Sequence, residues 1–239
     1  KKWNDSKKKN YKQRSSVLSK KDNICISIYL IMNKKKIILI IFVVCLFILV
    51  FSNGGGTRED NILYIQDFLD EKDYQKILSL DKDKSNFIFE NFRYSKPLND
   101  KMVSDIFYNQ KYLNQIEINL DKQLYQPTFP IEHRFYPSNS PGMHWHRDLL
   151  MYQKPQYEAI YTITNQSESM TQWKDENNKL HKIWTSPNSI LIVKAQGYEH
   201  NVTPPISGER EILKLIYTQT NIVNSNYNRE IERFNKFKL

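Results

Sequence analysis

Between Pro127 and about residue 220 the chain repeats one pattern: short runs rich in Tyr, Ile, Thr and Val, cut apart by clusters of Pro, Asn and Ser. The runs fall at 131–136, 143–150, 158–164, 171–173, 182–184, 189–193 and 210–218. Most are too short for a helix, and many short strands with turn punctuation predict a sandwich or barrel. Ahead of them, 61–65 has strand character, and Asp70 reads as the N-cap of an amphipathic helix with an acidic first turn. A further strand is expected within 86–92. Residues 100–120 carry apolar positions at mixed three and four spacing, the mark of one or two helices, and the polar tail 224–239 has helical character. The expected class is mainly β with flanking N-terminal helices.

A net charge of +9 invites a nucleic-acid reading until it is divided along the chain. Residues 1–36 hold 12 Lys and Arg against 2 acids, or +10, which leaves 23 against 24, or −1, for the rest. A near-neutral body offers no broad electrostatic footprint for DNA or RNA, so nucleic acid is not an expected partner. The leader has its own logic. Fifteen unbroken apolar residues, 37–51, follow Lys34, Lys35 and Lys36 and precede the Gly54-Gly55-Gly56 tether. With lysines on the amino-terminal side and no clear cleavage site, 32–52 is expected to be an uncleaved signal anchor, with a cleaved signal peptide as the alternative. Residues 1–31 then form a basic leader, either an upstream extension or a cytoplasmic tail, and 53–60 a glycine-rich linker. The expected localisation is a single-pass membrane protein whose domain, 61–239, is lumenal or extracytoplasmic. Cys25 and Cys45 are the only cysteines and both precede that domain, which therefore has no disulfide.

The chemistry is concentrated in two places. Met143-His144-Trp145-His146-Arg147-Asp148 puts an imidazole and a carboxylate two residues apart, on one face of an extended strand. His200, far downstream, can complete a three-ligand face. Two histidines and one carboxylate leave about three positions of an octahedral ion open, the arrangement of non-haem Fe(II) oxygenases. Arg210 follows ten residues after His200, and a guanidinium presents a planar fork to a carboxylate while remaining charged when buried. Outside the tether the chain has three glycines, Gly142, Gly197 and Gly208, each within four residues of one of these groups.

With Tyr136, His146, Asp148, His200, Gly208 and Arg210 in place, the sequence resembles the 2-oxoglutarate and Fe(II)-dependent oxygenases, nearest the prolyl 4-hydroxylase-type catalytic domain, over about 61–220. The resemblance implies a double-stranded β-helix, or jelly-roll, barrel with helices packed on it. It implies His146, Asp148 and His200 as the iron ligands and Arg210 as the grip on the distal carboxylate of 2-oxoglutarate. Tyr136 would bond the cosubstrate, with Tyr161 or Thr162 adding a second hydroxyl. The activity implied is hydroxylation of a C–H bond with O2, releasing succinate and CO2 and using ascorbate as reductant. A peptidyl proline is the substrate suggested, with a lipid, sugar or other small molecule as alternatives.

Other readings stand beside it: a zinc-dependent hydrolase using His144, His146 and Asp148, or a membrane-tethered jelly-roll module that binds without catalysis. His144 otherwise reads as a substrate-facing or supporting group, Trp145 and Arg147 as packing and surface residues, and Trp173 and Trp184 as core aromatics before substrate platforms; Lys214, which shares the parity of Arg210, reads as a lysine with a solvated end, with competition for the carboxylate role as the alternative. Two departures from the family pattern, Glu168-Ser169-Met170 before Thr171 and Pro187-Asn188-Ser189, fall on loops near the mouth and bear on substrate class.

Overall fold

The computed structural model describes residues 61–90 and 92–235; the expected leader, anchor and linker, with both cysteines, lie outside the described residues. Among the described residues no helix is long and apolar enough to cross a membrane.

In chain order the elements are β1 (Ile62–Ile65), α1 (Glu71–Leu78), β2 (Ile88–Glu90), β3 (Arg93–Leu98), α2 (Lys101–Phe107) and α3 (Gln110–Leu120). There follow β4 (Ile131–Tyr136), β5 (Met143–His146), β6 (Tyr157–Asn165), β7 (Thr171–Lys174), β8 (Leu180–Ile183), β9 (Ser189–Lys194), β10 (His200–Val202), β11 (Arg210–Tyr217) and α4 (Ser225–Asn235). The helix starts are chemically explicit. Asp70 accepts from the backbone N–H of Asp73, Asp100 from those of Met102 and Val103, and Asn109 from that of Lys111. Asn109 is why 100–120 is two helices: its side chain caps a new start where α2 has ended.

The last eight strands pair in a nested order. β4 lies antiparallel to β11, β5 to β10, β6 to β9 and β7 to β8, as in one long hairpin folded over on itself. That is a jelly roll. The fold puts β9, β6, β11 and β4 side by side in a wide sheet, which β1 extends at one edge and β3 and β2 at the other. The narrow sheet runs β5-β10-β7-β8. β3 has little strand signature, since it contains Pro97; β2 pairs only with Arg93 to Ser95, so Pro97 sits beyond the end of β2 where that edge is open.

Helices cover the outer face of the wide sheet. Ile77, Val103, Phe107 and Ile116 pack there against Ala159, Tyr161, Leu213 and Tyr217, all fully buried. Each large apolar side chain so buried contributes about 1.5–3 kcal/mol. The central strands β6 and β11 are thus enclosed on both faces, and their other face looks into the barrel. α4 closes one end, with Phe234 buried beside Phe129, Met151, Tyr152 and Ile216.

Candidate metal centre and the cavities it joins

β5 ends at His146, and the strand register sets His200, the first residue of β10, directly opposite it. The two rings stand 4.3 Å apart at their centroids. Asp148, two residues on, reaches both: its Oδ1 is 3.9 Å from Nε2 of His146 and its Oδ2 3.4 Å from Nε2 of His200. One ligand atom from each of the three lies within 4.8 Å of the others.

Hydrogen bonds on the far side of each ring decide what those atoms are. Nδ1 of His146 lies 2.8 Å from the carbonyl oxygen of His144, and Nδ1 of His200 lies 3.1 Å from that of Tyr198. A carbonyl only accepts, so each Nδ1 carries the proton and each Nε2 presents a lone pair inward. Burial further lowers the pKa of His200, against the opposing pull of Asp148, and favours the neutral ring that a metal requires. Two imidazole lone pairs therefore face a carboxylate whose Oδ2 is buried without a hydrogen-bond partner. Nothing among these groups bridges three electron-pair donors, and a divalent cation fits them.

The loop between β9 and β10 fixes the carboxylate's backbone. The carbonyl of Asp148 accepts from the side-chain amide of Gln196 at 2.8 Å and from its backbone N–H at 3.3 Å, while Arg147 donates to the carbonyl of Gly197 at 2.6 Å. Sequence reasoning had no signal for Gln196.

Two cavities meet at the triad. The inner one is narrow and runs between the sheets to Tyr136 and Arg210, past Ile160, Leu191, Val193 and Ile212. Arg210 is 3% exposed and among the described residues makes no ion pair; its Nε and Nη2 are buried without partners. Burial pulls its pKa down, as expected of a cation with no counterion beside it. Tyr136 pairs with Arg210 across β4 and β11. Burial alone would raise its hydroxyl pKa, but Arg134, Arg93 and Arg210 outweigh that and lower it. The outer cavity opens from the same His146 and Asp148 toward α4 and has a volume of about 290 Å³.

No family model matches the sequence, and no curated protein is detectably similar to it in sequence. Solved structures do match. A 2OG-Fe(II) oxygenase family oxidoreductase from Burkholderia pseudomallei superposes with a TM-score of 0.57 at 10% identity, over 70% of this chain and 88% of its own. A prolyl hydroxylase from Trichoplax adhaerens, in complex with a hypoxia inducible factor peptide fragment, gives 0.53 at 14% identity over 67% and 84%. A Pseudomonas putida prolyl-4-hydroxylase gives 0.51 at 11% identity over 67% and 94%. The fold is that of the 2-oxoglutarate/Fe(II) oxygenases.

Within the oxygenase fold several expected residues stand elsewhere. Tyr161 points to the helix side of β6, where its hydroxyl donates to Asn188 at 2.8 Å, and Thr162 faces inward but bonds Thr185 at 3.0 Å; neither lines the inner or the outer cavity. β6 instead presents Glu158 and Ile160. Lys214 does not have a solvated end: it lines both cavities and pairs with Glu158 at 2.8 Å. His144 is exposed and outside the ligand cluster, so a His144/His146/Asp148 zinc set is not assembled. Arg147 lines the outer cavity, Trp145 lies beneath Lys174, and Trp184 is 40% exposed while Trp173 is buried. Arg134 was also missed, although it alternates with Tyr136 along β4 and so shares its face.

Proposed function

We propose that this protein is a 2-oxoglutarate- and Fe(II)-dependent dioxygenase that hydroxylates a C–H bond of a second substrate. The observation that carries the reading is the convergence of His146, Asp148 and His200 at the junction of two cavities, one of which ends at the unpartnered Arg210. In the overall reaction, the second substrate gains one oxygen atom of O2 as a hydroxyl. The other atom enters succinate as 2-oxoglutarate loses CO2.

Bound Fe(II) would supply the redox and Lewis-acid chemistry. The chain's part is positioning. His146, Asp148 and His200 would hold the ion from one side and leave about three positions open. The guanidinium of Arg210 would take the distal carboxylate of 2-oxoglutarate, and the hydroxyl of Tyr136 can donate to the same molecule. Ile160, Leu191, Val193 and Ile212 give the inner cavity an apolar side that would help keep water from bound 2-oxoglutarate. The outer cavity would admit the second substrate to the open side. Peptidyl proline is one substrate class to screen, since prolyl hydroxylases are among the similar structures. Single-pass anchoring through residues 32–52, with the domain lumenal or extracytoplasmic, belongs to this reading on the strength of the apolar run and its lysines.

The test is succinate release by the full-length chain with Fe(II), 2-oxoglutarate, ascorbate and O2. Turnover is expected from the wild type and none from His146→Ala; undiminished turnover in that variant refutes the ligand assignment.

A further inference from the structure

The wall of the outer cavity is chemically unlike a slot for a proline ring. Eight of its thirteen lining side chains are charged, and apolar groups are confined to Phe129, Met143, Leu149 and Met151. Two of the charges, Lys214 and Glu158, answer each other at 2.8 Å, and Asp148 belongs to the ligand set. Arg147 is committed to the carbonyl of Gly197. What remains is a group of three guanidinia, Arg93, Arg134 and Arg233, with Glu230 as the single carboxylate beside them on the lining.

These arginines are held from behind. Glu132, 1% exposed and outside the lining, accepts from Nε of Arg134 at 3.0 Å and from its Nη2 at 2.6 Å, and lies 3.5 Å from Nη2 of Arg233. Burial alone would raise its pKa, yet Arg134, Lys214 and Arg233 bring it down to about 2, so the carboxylate stays ionised. Glu90 accepts from Nε of Arg93 at 3.1 Å and from Nη1 of Arg233 at 3.2 Å. Carboxylates behind and cations in front fix the guanidinium forks before any ligand arrives. Glu230 differs: its side chain is 30% exposed, and among the described residues its ion pair is with Nε of Arg233, at 3.4 Å.

We propose that the second substrate is a small amino-carboxylate, a zwitterion of the free amino-acid type. Its carboxylate is held by Arg93, Arg134 and Arg233, its ammonium by Glu230, and its apolar part lies along Phe129, Leu149 and Met151 so that a C–H faces His146 and Asp148. A residue inside a peptide has both of these charges replaced by amides and would offer no opposite charge to the guanidinium N–H groups that face the cavity or to Glu230, which then keep only the partners they already have. The volume of about 290 Å³ agrees, lying at the bottom of the roughly 300–1,000 Å³ of pockets for drug-sized ligands. The inference rests on the proposed oxygenase reading and names the substrate class for that same site.

Succinate release by the full-length chain is measured with free L-amino acids one at a time, with their carboxamides and N-acetyl derivatives, and with proline-rich peptides. At least one free amino acid is expected to stimulate release and to gain one oxygen atom. Blocking either end should lower kcat/KM by about tenfold or more, the loss of one charge-assisted hydrogen bond. Glu230→Gln, at a part-exposed position where folding is not at risk, should weaken the free amino acid but not its N-acetyl derivative. Arg233→Gln should narrow the preference for acid over amide. A second arm reads the subsite without turnover, by anaerobic calorimetry of the same amino acids into the chain loaded with Mn(II) and 2-oxoglutarate. Binding there without any turnover in air would sink the oxygenase reading and keep the subsite. Stimulation by peptides or blocked derivatives equal to that by free amino acids would overturn the subsite and keep the oxygenase, and absence of amino-acid binding in both arms would also overturn it.

Discussion

Arg210 brings a positive charge into the barrel with Nε and Nη2 unpartnered, and it gains no ion pair from the described residues around it. An uncompensated buried charge is costly. Its removal should therefore leave thermal stability without 2-oxoglutarate unchanged or higher, while weakening 2-oxoglutarate about 10- to 100-fold, the worth of a charge-assisted hydrogen bond. Thermal melting and calorimetry of Arg210→Ala check both halves; a large loss of stability with unchanged affinity would make Arg210 structural. The convergence of His146, Asp148 and His200, and the placing of Tyr136 and Arg210 at the inner cavity, were legible because four of the five sit on strands and Asp148 lies two residues past the end of β5. Tyr161 and Thr162 were not, for a physical reason. β6 is buried on both sides, between the helices and the barrel; its alternation of Tyr157, Ala159, Tyr161 and Ile163 with Glu158, Thr162 and Thr164 separates two faces, but with neither face in solvent it does not say which one looks into the barrel.

The turn before β5 decides whether the ligands meet. Gly142 has φ +73°, and a Cβ there would fall among the backbone atoms of Val202, the last residue of β10, and of Thr203 and Pro204 just beyond it. Gly142→Ala must therefore strain the turn by at least about 1–2 kcal/mol or push β5 off β10, separating His146 from His200. Chemical denaturation should show the destabilisation and equilibrium dialysis a weaker hold on Fe(II); an alanine variant with both unchanged would remove the turn from the account. Among the elements, the start of α1 was readable from Asp70, the helices within 100–120 from their apolar spacing, and most barrel strands from their Tyr, Ile, Thr and Val content. β3 was hidden by Arg93, Lys96 and Pro97, which suit an edge rather than a central strand. β10 has only three residues and was noticed for His200 rather than for its conformation.

At the scale of the whole molecule, the two sheets divide the work. The narrow sheet and the residues just past β5 supply the ligand set, the wide sheet supplies Arg210 and Tyr136, and the helices behind the wide sheet hold it in place. The nesting of β4 with β11 and β5 with β10 joins residues far apart in the chain, and no local pattern encodes it. For the same reason the charged wall of the outer cavity was invisible in the sequence: Arg93, Arg134, Glu158 and Arg233 come from β3, β4, β6 and α4. The central claim is that two histidines and one aspartate bind one metal ion, and anaerobic Fe(II) equilibrium dialysis of the full-length chain tests it most directly. One ion per wild-type chain is predicted, with binding lost in His146→Ala, Asp148→Ala and His200→Ala and retained in His144→Ala. Full Fe(II) binding by His200→Ala, or its loss in His144→Ala, would contradict the account.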